Sequence, residues 1–444
     1  MPKNKKPELS GLIVVDKPLG VTSHDVVAAV RGALGMRRVG HAGTLDPQAS
    51  GVLVVGFGHG TRLLNYIVDH TKTYEATIRL GQTSTTDDSE GEITALAPVL
   101  LADDAGHITN ELKNSGGLSS PRSKSDSGNV RVLTLQQIEQ AIKEHLTGGI
   151  EQVPSSYSAV RVNGRHAYEL ARAGKDVRLD ARRVTVNEFK VLDARTVLAP
   201  SDRTQAGSVV VDDPISGGLS ADDSKPLDST GSFDAADSKD SVDLTGWTGS
   251  ADCPYREGRD ESAGDWVPVV DVDVRISCST GTYIRSLGRD LGRLLGEGGY
   301  LTRLRRTRVG RFDLEDPLIA ARVVAAHPKP HTFTNREGKV VTLNKAVLDA
   351  TPDELRQRAL TMFEAVRCTM PLVPITADDA ANLRFGRRLR MNLAQAVTTA
   401  DEERGPVRFA AACVPETREL VAVLEPAGQN EVKSALVFPA PVSL

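Results

Sequence analysis

Residues 197–264 set the first limit on how this chain folds. The stretch is rich in Ser, Asp and Gly and holds 14 acidic against 5 basic residues. So little apolar surface cannot offset the entropy of ordering a backbone, and a disordered insertion without chemistry of its own is expected. The core must then be assembled from segments on either side. A second polar insertion, at about 101–130 and most polar over 114–129 (NSGGLSSPRSKSDSGN), has the same character. The long insertion also masks the charge of the rest: the formal total is −4, residues 197–264 contribute −9, and everything else carries +5.

The flanking segments have globular composition. A chain of 444 residues suits two or three domains. With 40 % apolar and 25 % charged residues, neither disorder throughout nor a membrane bundle fits, and no apolar run approaches the ~18–20 residues of a spanning helix. MPKNKKPELS runs straight into GLIVVDK, so no signal peptide is expected. Cys253, Cys278, Cys368 and Cys413 form no C-x-x-C pair, which argues against a zinc site or disulfide framework and for a cytoplasmic location.

GLIVVDK (11–17) reads as a buried strand. Thr22 with Asp25 caps a helix whose Val26, Val27, Val30, Ala33 and Leu34 share a face, and Gly35 stops it. KTYEATIRL (72–80) alternates as a half-buried strand. Thr134 and Gln137 form a capping box before Leu135, Ile138, Ile142 and Leu146, and Gly148–Gly149 end that helix. Beyond the insertion VVDVDVRIS (269–277) is a strand, followed after Thr280 by a helix with Ile284, Leu287, Leu291 and Leu294 inward. Strands and helices alternate irregularly, which predicts an α+β fold with a mixed sheet. A weakly patterned region at 317–370 marks a boundary before a small, mostly β domain at about 370–440.

The richest segment is RRVGHAGTLDPQASGVLVVGFGHGTR (37–62). Pro47 biases Asp46 toward an extended backbone, at the end of a Gly-flanked loop before an apolar strand, where a carboxylate can face a cleft. Taken alone, Asp-Pro in such a loop is a turn and His41 a hydrogen-bonded loop histidine. The phosphate-loop pattern is absent. Between Arg275 and Arg311 stand nine arginines against two acids, with Arg285, Arg289 and Arg293 spaced i, i+4 and i+8. A solvated helix face is one reading; so one-sided a run favours phosphate-backbone binding. Aromatics are scarce, and Tyr74, Tyr157, Tyr168 and Tyr283 stand near basic residues or in Gly/Ser stretches, where a flat face suits an extruded base.

Five blocks in order, GHAGTLDPQASGVLVVGFGHGT, KTYEATIRLG, QVPSSYSAVRVNGRHAYELARAG, STGTYIRSLGRDLG and LTRLRRTRVGRF, resemble the bacterial tRNA pseudouridine synthase B family. The resemblance implies a pseudouridine synthase fold that isomerises uridine 55 in the TΨC loop of tRNA without a cofactor or metal. It assigns Asp46 as the catalytic nucleophile, whose target, sugar or base, stays open along with a role in proton removal. It assigns Tyr74 to stacking on the flipped uracil, Tyr283 to base contact and proton removal at C5, and Arg285 to pairing with Asp46. His41 would contact the RNA and Leu304 close the pocket. Residues 150–183, with Arg161, Arg165, Lys175, Arg178, Arg182 and Arg183, resemble a thumb that clamps the T arm, and Arg289 and Arg293 join Arg165, Lys175 and Arg178 as expected RNA contacts.

The implied organisation is a catalytic domain over 1–316, a connecting region at 317–369 and a PUA-like RNA-binding domain at 370–444, acting as a monomer on tRNA without guide RNA or membrane. The chain departs from the family pattern in its long acidic insertion and in a C-terminal region that matches loosely. A non-catalytic tRNA-binding or folding protein is the alternative, since the arginines alone would serve it. Such a protein has no use for a pocket carboxylate with an arginine partner. A subunit of a guide-RNA particle ranks third.

Overall fold

In the computed structural model, which describes residues 9–203, 266–393 and 408–440 apart from 69, 104–106, 109–129, 159, 163, 176, 336–337 and 429, the apolar runs on both sides of the insertion become neighbours in one mixed sheet. Its first strands are β1 (Gly11–Lys17), β2 (Val39–Ala42), β3 (Ala49–Phe57) and β4 (Lys72–Leu80). Across the sheet the order is Val340–Leu348, Val324–Thr334, β1, β3, Gly299–Val309, β4, Trp266–Cys278, Arg182–Pro200 and Gly148–Gln152, with β2 paired to β3. β1 is a near-continuous apolar run because it is covered on both faces; Ile13 lies opposite Val55 and runs parallel to the strand at Val324. The α+β expectation holds.

β4 is less exposed than alternation suggests. Set between two long strands, it buries Thr73 and Thr77 along with Ala76 and Ile78, and the partly exposed Arg79 is paired to Asp271 at 2.7 Å. Helix α1 (Ser23–Leu34) has the expected capping box of Thr22 and Asp25 and the left-handed Gly35 stop, and lays Val26, Val27 and Val30 against Val15 and Val55. The helix Leu135–His145 likewise starts on its Thr134–Gln137 box.

The helix after Thr280 begins later, at Ile284, with Tyr283 as its N-cap. Ile284, Leu287 and Leu291 face the core as expected, but Leu294 is 44 % exposed and Leu295 packs inward instead. Gly292 brings this helix onto the next strand: a Cβ there would stand 2.1 Å from the Gly298 carbonyl carbon.

The insertion grows from a hairpin. Val197 lies opposite Val269 and Pro200 opposite Trp266, and Ala199 is buried, so residues 197–200 are sheet and not insertion. Asp202–Arg203 is a short strand paired with Thr94 and Ile93; residues 204–264 lie outside the described residues, as do 114–129 and Cys253, and Val99–Ala102 is a strand at the start of the shorter run. Residues 317–369 also differ from a plain connection. They contribute Val324–Thr334 and Val340–Leu348 to the sheet and two short helices with Thr–Glu capping boxes. These strands escaped the pattern because the first is exposed from His327 to its end, which leaves no alternation to read.

Within residues 370–440, a five-stranded sheet and the helix Ala377–Arg384 form the mostly β region. It meets the main sheet through Cys413, Leu420, Val423 and Phe438, which pack with Leu12, Val14 and Leu360. Arg62 donates to the Val437 carbonyl at 2.7 Å and covers the Phe438 ring. Among the described residues no helix is long and apolar enough to cross a membrane.

Sheet register already brings the two roots of the insertion together, and loop closure changes by only about 0.6 kcal/mol per doubling of length. Replacing 204–264 by a short Gly/Ser linker is therefore expected to leave the thermal midpoint within about 4 °C of the parent. A larger drop in a calorimetric melt would assign those residues a structural role.

Candidate active site

Asp46 sits on the loop between β2 and β3, and that loop is fastened on both sides of it. Ser23, at the first position of α1, accepts from the Leu45 N–H at 2.9 Å and donates to the Leu45 carbonyl at 3.1 Å. Gly20 N–H donates to the Pro47 carbonyl at 2.8 Å. Inside the loop, the guanidinium of Arg306, 1 % exposed, donates to the carbonyls of Val52 at 2.8 Å, Gly43 at 3.0 Å and Thr44 at 3.4 Å. Gly51, at φ +107°, makes room for this strand, since a Cβ there would stand 2.1 Å from the Arg306 carbonyl oxygen.

The Asp46 side chain remains 44 % exposed, and its Oδ2 lies 3.1 Å from Nη2 of Arg285. Arg285 itself is buried. Its Nη1 lies 3.2 Å from Asp88, and it donates to the carbonyls of Thr86 and Tyr157 at 3.0 Å each. Its charge is met by two carboxylates and its remaining protons by two carbonyls, which offsets the several kcal/mol that desolvating a guanidinium costs. Burial pushes the Asp88 carboxyl above its usual range while Arg285 pulls it back, and burial likewise raises Glu90, which accepts from Gln48 at 3.1 Å. Asp46, Gln48, Ala49, Asp88, Arg285 and Leu304 line one cleft.

Two more titratable groups stand behind the loop. Lys17 is fully buried and donates to the Val21 carbonyl at 2.7 Å; burial lowers it to about 8 against the opposing pull of Asp46. His41 is lowered to about 4, first by burial and then by the charge of Arg306, and its buried Nδ1 has no hydrogen-bond partner among the described residues.

The family model described as TruB family pseudouridylate synthase, N-terminal domain, matches residues 31–121 and 120–202. A relative named tRNA pseudouridine synthase B from Bifidobacterium longum (strain DJO10A) is 44 % identical over 454 residues, covering 97 % of this chain and 98 % of its own. The chain belongs to the TruB family of pseudouridine synthases. Relatives of the same name from Thermobifida fusca (strain YX), 42 % identical with 85 % and 86 % covered, and Cutibacterium acnes, 34 % identical with 96 % and 97 % covered, agree. A chain of the crystal structure of a Cbf5–Nop10–Gar1 complex matches at TM-score 0.49 and 21 % identity, over 97 % of this chain and 85 % of that one.

Of the residues singled out in this TruB-family sequence, Asp46, Arg285 and Leu304 share the cleft, with Leu304 opposite Ala49 and Ala76 in register. Tyr74 is 8 % exposed, hydrogen-bonded to Arg306 and near enough to feel the charge of Asp46; burial raises its hydroxyl. Tyr283 lies outside the cleft lining. It sits two residues before Arg285, its backbone N–H and carbonyl both held by the Gln152 amide at 2.8 and 3.0 Å. Arg165, Lys175, Arg178 and Arg293 are exposed, Arg165 beside Glu169 at 3.8 Å.

The uniform arginine stripe is not what the fold displays. Arg305 pairs with Asp16, Arg303 with Glu75 and Asp273, Arg275 with Glu75 and Glu315, and Arg289 with Asp87. These carboxylates come from other segments, so counting charges along 275–311 could not find them. Sequence reasoning also passed over Asp88, Lys17 and Arg306. The acids of TTDDSEGE were visible, but such a run reads as a solvated turn; nothing local marks Arg306 among five neighbouring arginines.

Arg306→Met leaves the Gly43 and Val52 carbonyls without their donor, each worth ~1–3 kcal/mol when buried. Urea unfolding is expected to show a loss of about 3 kcal/mol or more, against about 1 kcal/mol or less for Arg305→Ala at its partly exposed pair. Equal losses would remove the buried splint from the account.

His41 supplies a pH signature. Between pH 6.5 and 4 the unfolded chain takes up a proton that the folded imidazole refuses, so His41 makes stability fall as pH drops through that window. His41→Gln should flatten this decline by on the order of 2 kcal/mol, read from urea midpoints at both ends. Asp88 and Glu90, raised by burial, act in the opposite sense in both proteins, so the difference isolates the imidazole. Parallel declines would mean that the ring is protonated in the fold.

Proposed function

We propose that this TruB-family chain is a tRNA pseudouridine-55 synthase acting as a monomer in the cytosol, with Asp46 as its catalytic nucleophile. The single observation that carries the reading is the exposed Asp46 carboxylate held 3.1 Å from the buried Arg285 guanidinium, on a loop fastened at Leu45 and Pro47. A carboxylate fixed in orientation and open to solvent on one side is placed to attack a bound nucleotide.

The isomerisation breaks the N1–C1′ bond, rotates the uracil and joins C5 to C1′. C5 gives up its proton and N1, freed from C1′, takes one up, so atoms balance across substrate and solvent and no cofactor is invoked. Tyr74 offers the face for the extruded base, Leu304 covers the pocket, and His41 contacts the RNA. Tyr283 contacts the base and takes part in proton removal. The thumb expected over 150–183 is centred on the short hairpin at Arg161–His166 and the helix Ala167–Arg172, since 150–152 and 182–183 lie in main-sheet strands, and Arg165, Lys175, Arg178 and Arg293 reach tRNA phosphates. Arg289 can do so only by sharing its guanidinium with Asp87 and Asp290. The C-terminal β region contacts the same tRNA away from the cleft.

The test uses a tRNA transcript with tritium at uracil C5, with no additives. Release mapped to the T-loop uridine is expected for the parent and abolished in Asp46→Asn, while tRNA affinity stays within about tenfold, roughly 1.4 kcal/mol. Near-parental turnover in Asp46→Asn would sink the assignment. Tight binding without release from the parent would leave only an RNA-binding protein.

A further inference from the structure

We propose that the hairpin of Val324–Thr334 and Val340–Leu348 is an arm that grips the sugar-phosphate backbone of the substrate RNA beside the mouth of the active site; this rests on the reading of the chain as an RNA-modifying enzyme.

The hairpin leaves the sheet at the same end as Asp46. Its first strand runs parallel to β1, with Val15 beside Val324 and Asp16 beside Ala325, so β1 offers no partner beyond that point. From residue 326 to 334 the ribbon continues past the end of β1 for about 25–30 Å at ~3.3 Å per residue. Its root is fixed next to the catalytic loop. Ala346 and Leu348 pack with Val26 and Val27 of α1, and a Cβ at Gly20 would stand 3.1 Å from Nδ2 of Asn344. Gly20 is the residue whose N–H holds the Pro47 carbonyl, directly after Asp46.

The arm is too exposed to be there for packing. Between Val324 and Leu348 only Val324 and Ala346 are buried among the described residues. It is closed by its own chemistry: Thr332 and Thr342 hydroxyls lie 2.8 Å apart, and Asn335 binds the Lys339 N–H through its side chain at 2.9 Å.

Its charge is one-sided. Residues 324–348 contain Lys329, Arg336, Lys339 and Lys345 against Glu337 alone. Lys329 stands directly opposite Lys345 in the register, an arrangement of like charges that destabilises an isolated hairpin. Arg275, Arg303 and Arg305 of the main sheet are matched by carboxylates, whereas among the described residues neither Lys329 nor Lys345 has an ion-pair partner. Two facing, unmatched ammonium groups at the mouth of a nucleotide-processing cleft call for an external polyanion. On the same face His331 and Phe333 stack at 6.0 Å, an aromatic surface between basic side chains.

Strand addition is hindered along the free edge of Val324–Thr334. Pro328 and Pro330 lack the N–H groups that the free edge would offer. A phosphate backbone needs no such ladder.

The experiment is equilibrium binding of an unmodified tRNA transcript to the full-length chain across a salt series. The proteins compared are the parent, Lys329→Glu/Lys339→Glu/Lys345→Glu, and the milder Lys329→Gln/Lys345→Gln, each with a thermal melt. The triple variant is expected to raise Kd at least tenfold at about 0.1 M salt and to flatten the slope of log Kd against log salt by about 2–3; the Gln pair gives a smaller change of both. Unchanged Kd and slope in folded variants would overturn the arm and leave its charge to an acidic protein partner. Weaker binding with an unchanged slope and a lowered melt would overturn it too, as a structural effect. If the parent itself neither binds tRNA nor releases tritium, it is the proposed function that fails.

Discussion

Arg285 is the interaction on which the site depends. A guanidinium taken out of water must be answered on every side, and here Asp46, Asp88 and the carbonyls of Thr86 and Tyr157 answer it. Those partners arrive on three separate loops, while Arg285 is carried by the first turn of a helix whose Ile284 and Leu287 are buried in the core. Packing of that helix therefore fixes the cation, and the cation fixes the loops. Asp46 is the one partner left with substantial exposure, so the same network that makes burial affordable also presents a carboxylate to the cleft.

Behind the loop the logic is reversed. Arg306 and Lys17 are buried cations answered chiefly by backbone carbonyls; burial lowers His41 and Lys17, and the charge of Arg306 lowers both further. Carbonyl oxygens bind a guanidinium without neutralising it. The result is a rigid turn with buried cations behind it, and among the carboxylates that act on Lys17 Asp46 has the largest effect, ahead of Asp25 and Glu90. Rigid backbone and unbalanced charge are both useful where a carboxylate must keep one position while a substrate enters.

The same contrast separates the sheet from the hairpin. Across the sheet, arginines and acids meet from distant segments and largely cancel, which makes them structural. On the ribbon beyond β1, lysines face each other with nothing between. Total charge and local counts describe both regions alike; only the register tells them apart.

What the sequence determined by itself is whatever a few neighbouring residues decide. Thr22 with Asp25, Thr134 with Gln137 and the Gly35 stop were readable because a cap joins positions three or four apart. Buried runs such as GLIVVDK were readable because both faces are apolar, and the Asp46 loop because Gly and Pro punctuate it. Family blocks added roles to residues whose local signal was only a turn or an apolar-face tyrosine. Tertiary structure alone decided which charges meet. Asp16 finds Arg305, Asp88 finds Arg285 and Val52 finds Arg306 through strand and loop placements spanning hundreds of residues. It also turned 197–200, 324–334 and 340–348 into strands, because hydrogen bonding to a partner, not side-chain alternation, holds an exposed strand in place.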